Sequence, residues 1–564
     1  MNQLTAEQAG AETARPVQDI APQRITVAEA IVRTLQAYGV EAIYGVISIH
    51  NLPIADAVGR LGHIRFVCAR GEAGAATMGD VHGRFAGLGV ALTSTGAGAG
   101  NAVGGLLEAL NAGSPLLHIT GQVERAYLDR DAGFIHETGD QMGILRGAGK
   151  AAFRILHPEQ AVAILHRAIG EATRLPAGPV NVEIPIDVQA ALIDIPCALQ
   201  PVGQAMPATV PVAQIDALAE RVRQARAPLL WVGGGALGAA AAVARLADLG
   251  VPVVSSTHAR GLLPDAHPRS LRAFHNAAAV ADLFADSDLM IVAGSRLRSN
   301  ETATYSLTLP RPLVQIDIDP GACNRNYRVD DFLCGDCNAV LSALADRLTL
   351  KADVPRDARI VAATAAAEVA LREQLGPYAL ISDAVRQALP ADGIFVRDIT
   401  MSGSTWGSRL LGFEGPNRNI HSLAGAIGLG LAQAIGAAVA NPGHKVLALV
   451  GDGGVMLGVG ELATLVQEDL DVTVLVMNDG GYGVMRGIQK KYFADRQYYN
   501  DLHAPDFRAL GEAMGMKSWH ADSVQGIHDA LLAAVTHAGP TLVEVDMRAI
   551  GPLNFAGPPQ KKLY

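Results

Sequence analysis

Short apolar, β-rich runs alternate with amphipathic stretches along most of the chain, and a glycine turn marks most of the changeovers. An apolar run without polar alternation suits a strand buried on both faces, the condition of a parallel sheet covered by helices. The clearest unit runs from Lys445 to Gly483. Val446 to Val450 predicts a strand, and Gly451-Asp452-Gly453-Gly454 a sharp turn after it. Val459, Leu462, Ala463 and Val466 recur at i, i+3, i+4 and i+7 and predict one face of a helix. Val472 to Met477 predicts a second strand, closed by Asn478-Asp479-Gly480-Gly481.

The same grammar recurs in three blocks, residues 24–194, 212–350 and 377–548. A polar tail (1–23) precedes them and a non-periodic tail (549–564) follows, either frayed or lying across the site as a lid. Residues 195–211, rich in proline, predict a linker, and 351–376 a second one. The expected fold is therefore α/β, with three doubly wound parallel-sheet domains. The first and third blocks share a rough order of strand, glycine turn, helix and strand, which permits a duplicated fold.

Composition narrows the function classes. The chain has 564 residues, 49% hydrophobic and 18% charged, which is the profile of packed globular material. Lys plus Arg is 45 against 55 Asp plus Glu, a formal net charge of −10, which argues against a nucleic-acid backbone binder. No apolar run is long enough to span a bilayer, and the N-terminus has no signal-peptide core, so a cytoplasmic protein is expected. The cysteines number five, an odd and sparse count that fits reduced thiols. Cys334 and Cys337 have CxxC spacing, but no second pair lies near them to complete a zinc set.

The candidate chemistry lies at predicted strand ends. In a parallel sheet, Asp452 and the Asn478-Asp479 pair fall just past the carboxyl ends of their strands, where open α/β sheets bind ligands. Carboxylate, amide and carbonyl oxygens make a hard ligand set that suits Mg²⁺ completed by phosphate oxygens. Gly453 and Gly454 let backbone come close to a diphosphate.

GDG, a crossover of helical length and then Asn-Asp resembles the thiamine diphosphate signature of the decarboxylase and carboligase family, which includes acetohydroxyacid synthase, benzoylformate decarboxylase and benzaldehyde lyase. The resemblance covers nearly the whole chain after the tail. It implies a pyrimidine-binding first domain, a central second domain and a diphosphate-binding third domain. It also implies metal ligands Asp452, Asp479 and the Gly481 carbonyl, with Asn478 as the alternative if the register slips by one. Asp479 stands where the family often has an amide.

Further roles follow from the same resemblance. Glu72 matches the glutamate that hydrogen-bonds the cofactor's pyrimidine, although a carboxylate at a helix start is also what the helix dipole favours. Gly425 would offer a carbonyl to the cofactor's amino group, and Ile427 would be the apolar wedge that bends the cofactor. Thr400 and Ser402 are candidates for diphosphate contact. His50, His136 and Gln122 are candidates for the substrate side, and the histidines could move a proton near neutral pH. The Ser94–Asn101 glycine loop lacks the full dinucleotide spacing and reads as part of the pyrimidine pocket.

Two departures separate the chain from acetohydroxyacid synthase. Asn300 ends Arg296-Leu-Arg-Ser-Asn300 where that enzyme has a substrate-side arginine, and Ile488 stands at its acceptor-selecting tryptophan. Its FAD-holding stretch is not recognisable in 260–280, so FAD is doubtful.

The expected activity is Mg²⁺- and thiamine diphosphate-dependent cleavage or formation of a carbon–carbon bond beside a carbonyl, foremost 2-oxo acid decarboxylation with or without carboligation. The alternatives are an acyloin or diketone lyase and a non-catalytic cofactor-binding subunit. A small-molecule substrate is expected, without nucleic acid or membrane partner. A homodimer is implied, and a homotetramer is common in the family.

Overall fold

The computed structural model describes residues 24–196, 199–203, 209–349 and 353–553. The 1–23 tail and most of the C-terminal tail lie outside that range. Among the described residues, three parallel sheets organise the chain. The first is built from Ala42–Gly45, Arg65–Cys68, Gly89–Thr93, Leu116–Gln122, Ala151–Arg154 and Val180–Pro185. Numbered by chain position within the sheet, these strands lie side by side in the order 2-1-3-4-6-5. The third sheet is built from Ile394–Arg397, Asn419–His421, Val446–Gly451, Val472–Asn478, Lys517–Ala521 and Thr541–Asp546, and it has the same order. The central sheet has five strands in the order 2-1-3-4-5. Every strand pair in the three sheets is parallel. The shared order of the first and third sheets agrees with the duplication their sequence pattern permits.

The strands are buried on both faces. Val446, Leu447, Ala448, Leu449 and Val450 are all solvent-free, as are Val472, Val474, Leu475 and Val476. A short antiparallel pair, Arg24–Thr26 with Leu192–Asp194, ties the start of the first block to its end. Among the described residues no helix is long and apolar enough to cross a membrane.

Two local expectations differ from the structure. The 351–376 stretch, expected as a linker, contains the 22-residue helix Val354–Leu375. Asp353 caps it by accepting the Arg356 N–H at 3.1 Å, and Pro355 sits in its first turn, where no backbone donor is lost. Its Ile360 and Ala367 pack on the central domain and its Leu375 on the third, so alanine-rich composition here meant helix. The GDG turn is also tighter than expected. Gly451 ends the strand and caps a helix that begins at Asp452 itself and runs to Leu457. A second helix, Glu461–Gln467, buries Glu461, Leu462, Thr464 and Leu465, a face shifted from the predicted one.

First and third domains meet through helices Glu72–Ala86 and Gly430–Ala440. The contact is close because Gly436 lacks a side chain: a Cβ there would strike the Met78 carbonyl.

Candidate functional site

The predicted residues gather at the carboxyl edges of the first and third sheets. In the third, strand order reverses between Ile394–Arg397 and Val446–Gly451, which opens a crevice beyond their ends. Asp398 and Asp452 lie there, 1% and 3% exposed. Asp452 Oδ2 is buried without a protein partner. Asp479, after the neighbouring strand, lies within hydrogen-bonding reach of Asp452. Burial raises the Asp452 carboxyl above its usual range, against hydrogen bonds from the Asp479, Gly481 and Gly453 backbone. Burial likewise pushes Asp479 up to about 7, with the Asp452 charge adding to the rise and Arg486 opposing it. Arg486 Nη2 lies 3.4 Å from Asp479 Oδ1 and donates to its carbonyl at 3.0 Å. A buried carboxylate with an unpartnered oxygen, facing a second that is partly buried, forms a donor set that fits a hard divalent cation.

Asn478 points elsewhere. Its Nδ2 donates to Glu544 Oε1 at 2.8 Å and its Oδ1 accepts the Gly480 N–H at 3.1 Å. Between the two registers left open by the sequence, the side-chain partners favour Asp479.

The glycines nearby are explained by contact. A Cβ on Gly453 would sit 2.7 Å from the Tyr482 ring, and one on Gly454 2.8 Å from Asp398 Oδ2. Thr400 Oγ1 accepts the Gly403 N–H at 2.7 Å and starts the turn Met401–Ser404. Ser402 Oγ is buried without a protein partner. Gly425 has φ +86°, and Ile427 on the same loop is 37% exposed. Asp398, which the sequence reading passed over as a site residue, accepts the Gly428 N–H at 2.9 Å and so ties this loop to the crevice. Burial raises its carboxyl to about 6.

The first sheet carries the other group. Glu72 opens helix Glu72–Ala86 and is half-buried. Asn101 Nδ2 donates to its Oε2 at 3.3 Å, and a Cβ on Gly98 would lie 2.9 Å from its Oε1. The glycine loop therefore frames Glu72. The His50 and His136 rings meet edge to face at 5.3 Å. His50 is buried with Nδ1 unpartnered, and burial, then His136, lowers its pKa. His136 is exposed with φ +65°.

Gln122 does not offer a free amide. Its Oε1 accepts Thr95 Oγ1 at 3.0 Å and the Val123 N–H at 2.8 Å, and its Nε2 donates to Glu183 at 3.2 Å. Gln141, missed in the sequence, shares the work: its Oε1 accepts the Gly96 N–H at 2.6 Å and its Nε2 donates to Glu183 at 2.8 Å. Glu183 is fully buried and paired with Arg154. A lone Gln between a strand and a helix carries no signal that it will fold against a buried acid.

A cavity of about 1600 Å³ lies among the three domains. It reaches Gly425 and Ile488, and its wall includes Gly234, Gly294, Arg397 and Arg409, but none of Glu72, Asp452 or Asp479. Arg298, in the stretch compared with the substrate-side arginine, instead bridges two backbone carbonyls, Leu423 at 2.9 Å and Asn111 at 2.7 Å.

Comparison with known families and proteins matches this arrangement. Residues 25–144 match the N-terminal TPP binding domain of thiamine pyrophosphate enzymes, residues 215–344 the central domain, and residues 398–545 the C-terminal TPP binding domain. The chain is 32% identical over 536 residues to a probable 2-ketoarginine decarboxylase of Pseudomonas aeruginosa, covering 93% of this chain and 94% of that protein. It is 29% identical over 558 residues to an acetolactate synthase of Arthrospira platensis, with coverage of 93% and 94%. It is 28% identical over 546 residues to the large subunit of acetolactate synthase isozyme 1 of Escherichia coli, with coverage of 93% and 95%.

Proposed function

The chain belongs to the thiamine pyrophosphate enzyme family, and on that premise we propose that it is a Mg²⁺-dependent 2-oxo acid decarboxylase or carboligase. The observation that carries the reading is the facing Asp452–Asp479 pair, with an unpartnered oxygen on the buried Asp452, at a strand-order reversal. When bound, thiamine diphosphate supplies a nucleophilic carbon and an electron sink for the bond beside a carbonyl.

The chain's own residues supply binding and proton control. Asp452, Asp479 and the Gly481 carbonyl would hold Mg²⁺. The backbone of Gly453 and Gly454, with Thr400 and the buried Ser402 hydroxyl, receives the diphosphate. Gly425 would offer its carbonyl to the cofactor's amino group, and Ile427 would be its apolar support. Glu72 holds a proton at the pyrimidine nitrogen. His50 and His136 hold or move a proton at the substrate carbonyl, and the lowered pKa of His50 keeps it neutral and able to accept one. Gln122 acts from behind this surface, as a bonded support.

A 2-oxo acid substrate is supported by the names of the relatives, a 2-ketoarginine decarboxylase and acetolactate synthases. A homodimer is supported by exposed apolar side chains beside both groups: Ile47, Ile49 and Leu52 flank His50, while Met456 and Leu457 follow the GDG turn and Ile427 lies on the Gly425 loop. A second copy would cover them and bring Glu72 of one chain to Asp452 of the other.

The test is CO₂ release from a panel of 2-oxo acids by protein stripped of cofactor, then given Mg²⁺ and thiamine diphosphate singly and together. Release that needs both is expected. Tight cofactor binding without CO₂ from any acid would replace decarboxylation with acyloin or diketone cleavage.

A further inference from the structure

Two glutamates outside the predicted site are buried where the first and third domains meet. Glu461, on third-domain helix Glu461–Gln467, is 4% exposed. Its Oε1 accepts the Arg70 N–H at 3.0 Å and its Oε2 accepts the Thr464 hydroxyl at 2.7 Å. Gly74 leaves room for it, because a Cβ there would strike the carboxylate. Glu461 therefore grips the turn that sets Glu72 at the head of its helix.

Glu108, on first-domain helix Val103–Ala112, is fully buried. Its carboxylate accepts the Ser422 hydroxyl at 2.8 Å and the N–H groups of Leu423 at 2.6 Å and Ala424 at 2.9 Å. Arg84 lies 3.2 Å from it and is itself paired with Asp80. Glu108 therefore grips the turn that leads into Gly425, and Arg298 holds the opposite side of that turn through the Leu423 carbonyl.

The two grips are one contact made twice. In each domain the glutamate stands on a helix after the third strand and holds the turn after the second strand of the other domain. Buried carboxylates bonded to backbone N–H groups are strong, directional anchors, and removing one leaves those donors unsatisfied.

We propose that Glu108 and Glu461 are reciprocal positioning residues. Glu461 fixes Glu72 against the cofactor's pyrimidine, and Glu108 fixes the Gly425–Ile427 loop that bends it. The proposal rests on the thiamine diphosphate reading above. The hydrogen bonds of both glutamates go to protein groups, so both would act on how the cofactor is held and little on how tightly.

The test uses the full chain loaded with Mg²⁺ and thiamine diphosphate. Two quantities are measured: the cofactor Kd by calorimetry, and hydrogen–deuterium exchange at the thiazolium C2 carbon by quenched-flow NMR. Exchange is scored per bound cofactor, so loss of folded protein does not move it. Glu461→Ala and Glu108→Ala are expected to slow exchange about tenfold or more, the scale of a small misplacement of reacting groups. The Kd should stay within about threefold, because the metal and diphosphate contacts are intact. Glu461→Gln should recover part of the rate, since its carbonyl oxygen still meets the Arg70 N–H. If an alanine variant fails to fold, Ser422→Ala and Arg298→Lys, which remove one contact each from the Gly425 turn, serve in its place and should also slow exchange. Unchanged exchange per bound cofactor in the folded variants would overturn the proposal. Failure of the wild-type chain to bind thiamine diphosphate would instead overturn the functional reading itself.

Discussion

Asp452 and Asp479 are the two residues whose environment is hardest to explain without a bound cation. Asp452 is buried and Asp479 partly so, each is raised by that burial, and one oxygen of Asp452 has no partner. Two such carboxylates face to face are costly unless a shared proton or a cation lies between them, and Mg²⁺ is the cation their oxygens suit. Mg²⁺ with thiamine diphosphate should therefore raise the melting temperature of the wild-type chain by several degrees, as any ligand of the folded state does. Asp452→Ala should melt at or above the wild-type apo temperature yet show no shift on adding both. A full shift in the variant would sink the metal assignment. At this scale the motifs made the strand-end placement of Asp452, Asp479 and Glu72 legible. The sequence was silent for Asp398, Gln141 and Glu108, which act through side chains folded onto backbone from distant segments. Gln122 was legible as a position, but its bonds to Thr95 and Glu183 were not, because they depend on tertiary contacts.

Among the elements, strands were easiest to read. The runs 446–450 and 472–477 became Val446–Gly451 and Val472–Asn478, each one residue longer at the carboxyl end. Helices were harder where glycine breaks the period: Gly458 to Gly460 splits the crossover in two and shifts the buried face. The pairing of helices Glu72–Ala86 and Gly430–Ala440 was not legible at all, since both are rich in small residues with no distinctive stripe. Their contact turns on Gly436, whose missing Cβ admits the Met78 backbone. A backbone atom cannot swing aside as a side chain can. Gly436→Ala should therefore cost stability, by about 1–3 kcal/mol, despite alanine's better helix propensity. Urea unfolding checks this: a midpoint equal to or above wild type would mean that the helices separate without penalty.

Over the whole molecule, each domain buries a histidine that stays neutral. His118 in the first sits between Thr93 Oγ1 and Asn181 Oδ1, both at 2.8 Å, and burial lowers it to about 4. His275 in the central domain packs on Trp231 at 4.9 Å between ring centroids and is lowered to about 3 by burial, then by Arg409. His421 in the third is held well below its usual value by burial, then by Arg397 and His258. In the unfolded chain each titrates near 6.5, so below that pH the unfolded state takes up protons that the folded state refuses. Their stabilisation is complete above about pH 6.5 and is lost as pH falls toward 4 and 3. Asp398, raised to about 6, works in the opposite sense, because its folded carboxyl takes up a proton before the unfolded one does. Asp479 does the same unless a cation holds it ionised. Comparing wild type with a variant cancels those carboxyls. His118→Gln keeps a hydrogen-bonding side chain between Thr93 and Asn181 but cannot titrate. It should be the less stable protein at pH 7.5, and the gap should close by about 2 kcal/mol at pH 5, the linkage expected for one group kept neutral. Urea unfolding at the two pH values measures that gap. A constant gap would mean that His118 protonates in place, and that the sheet around it yields to charge more readily than its packing implies.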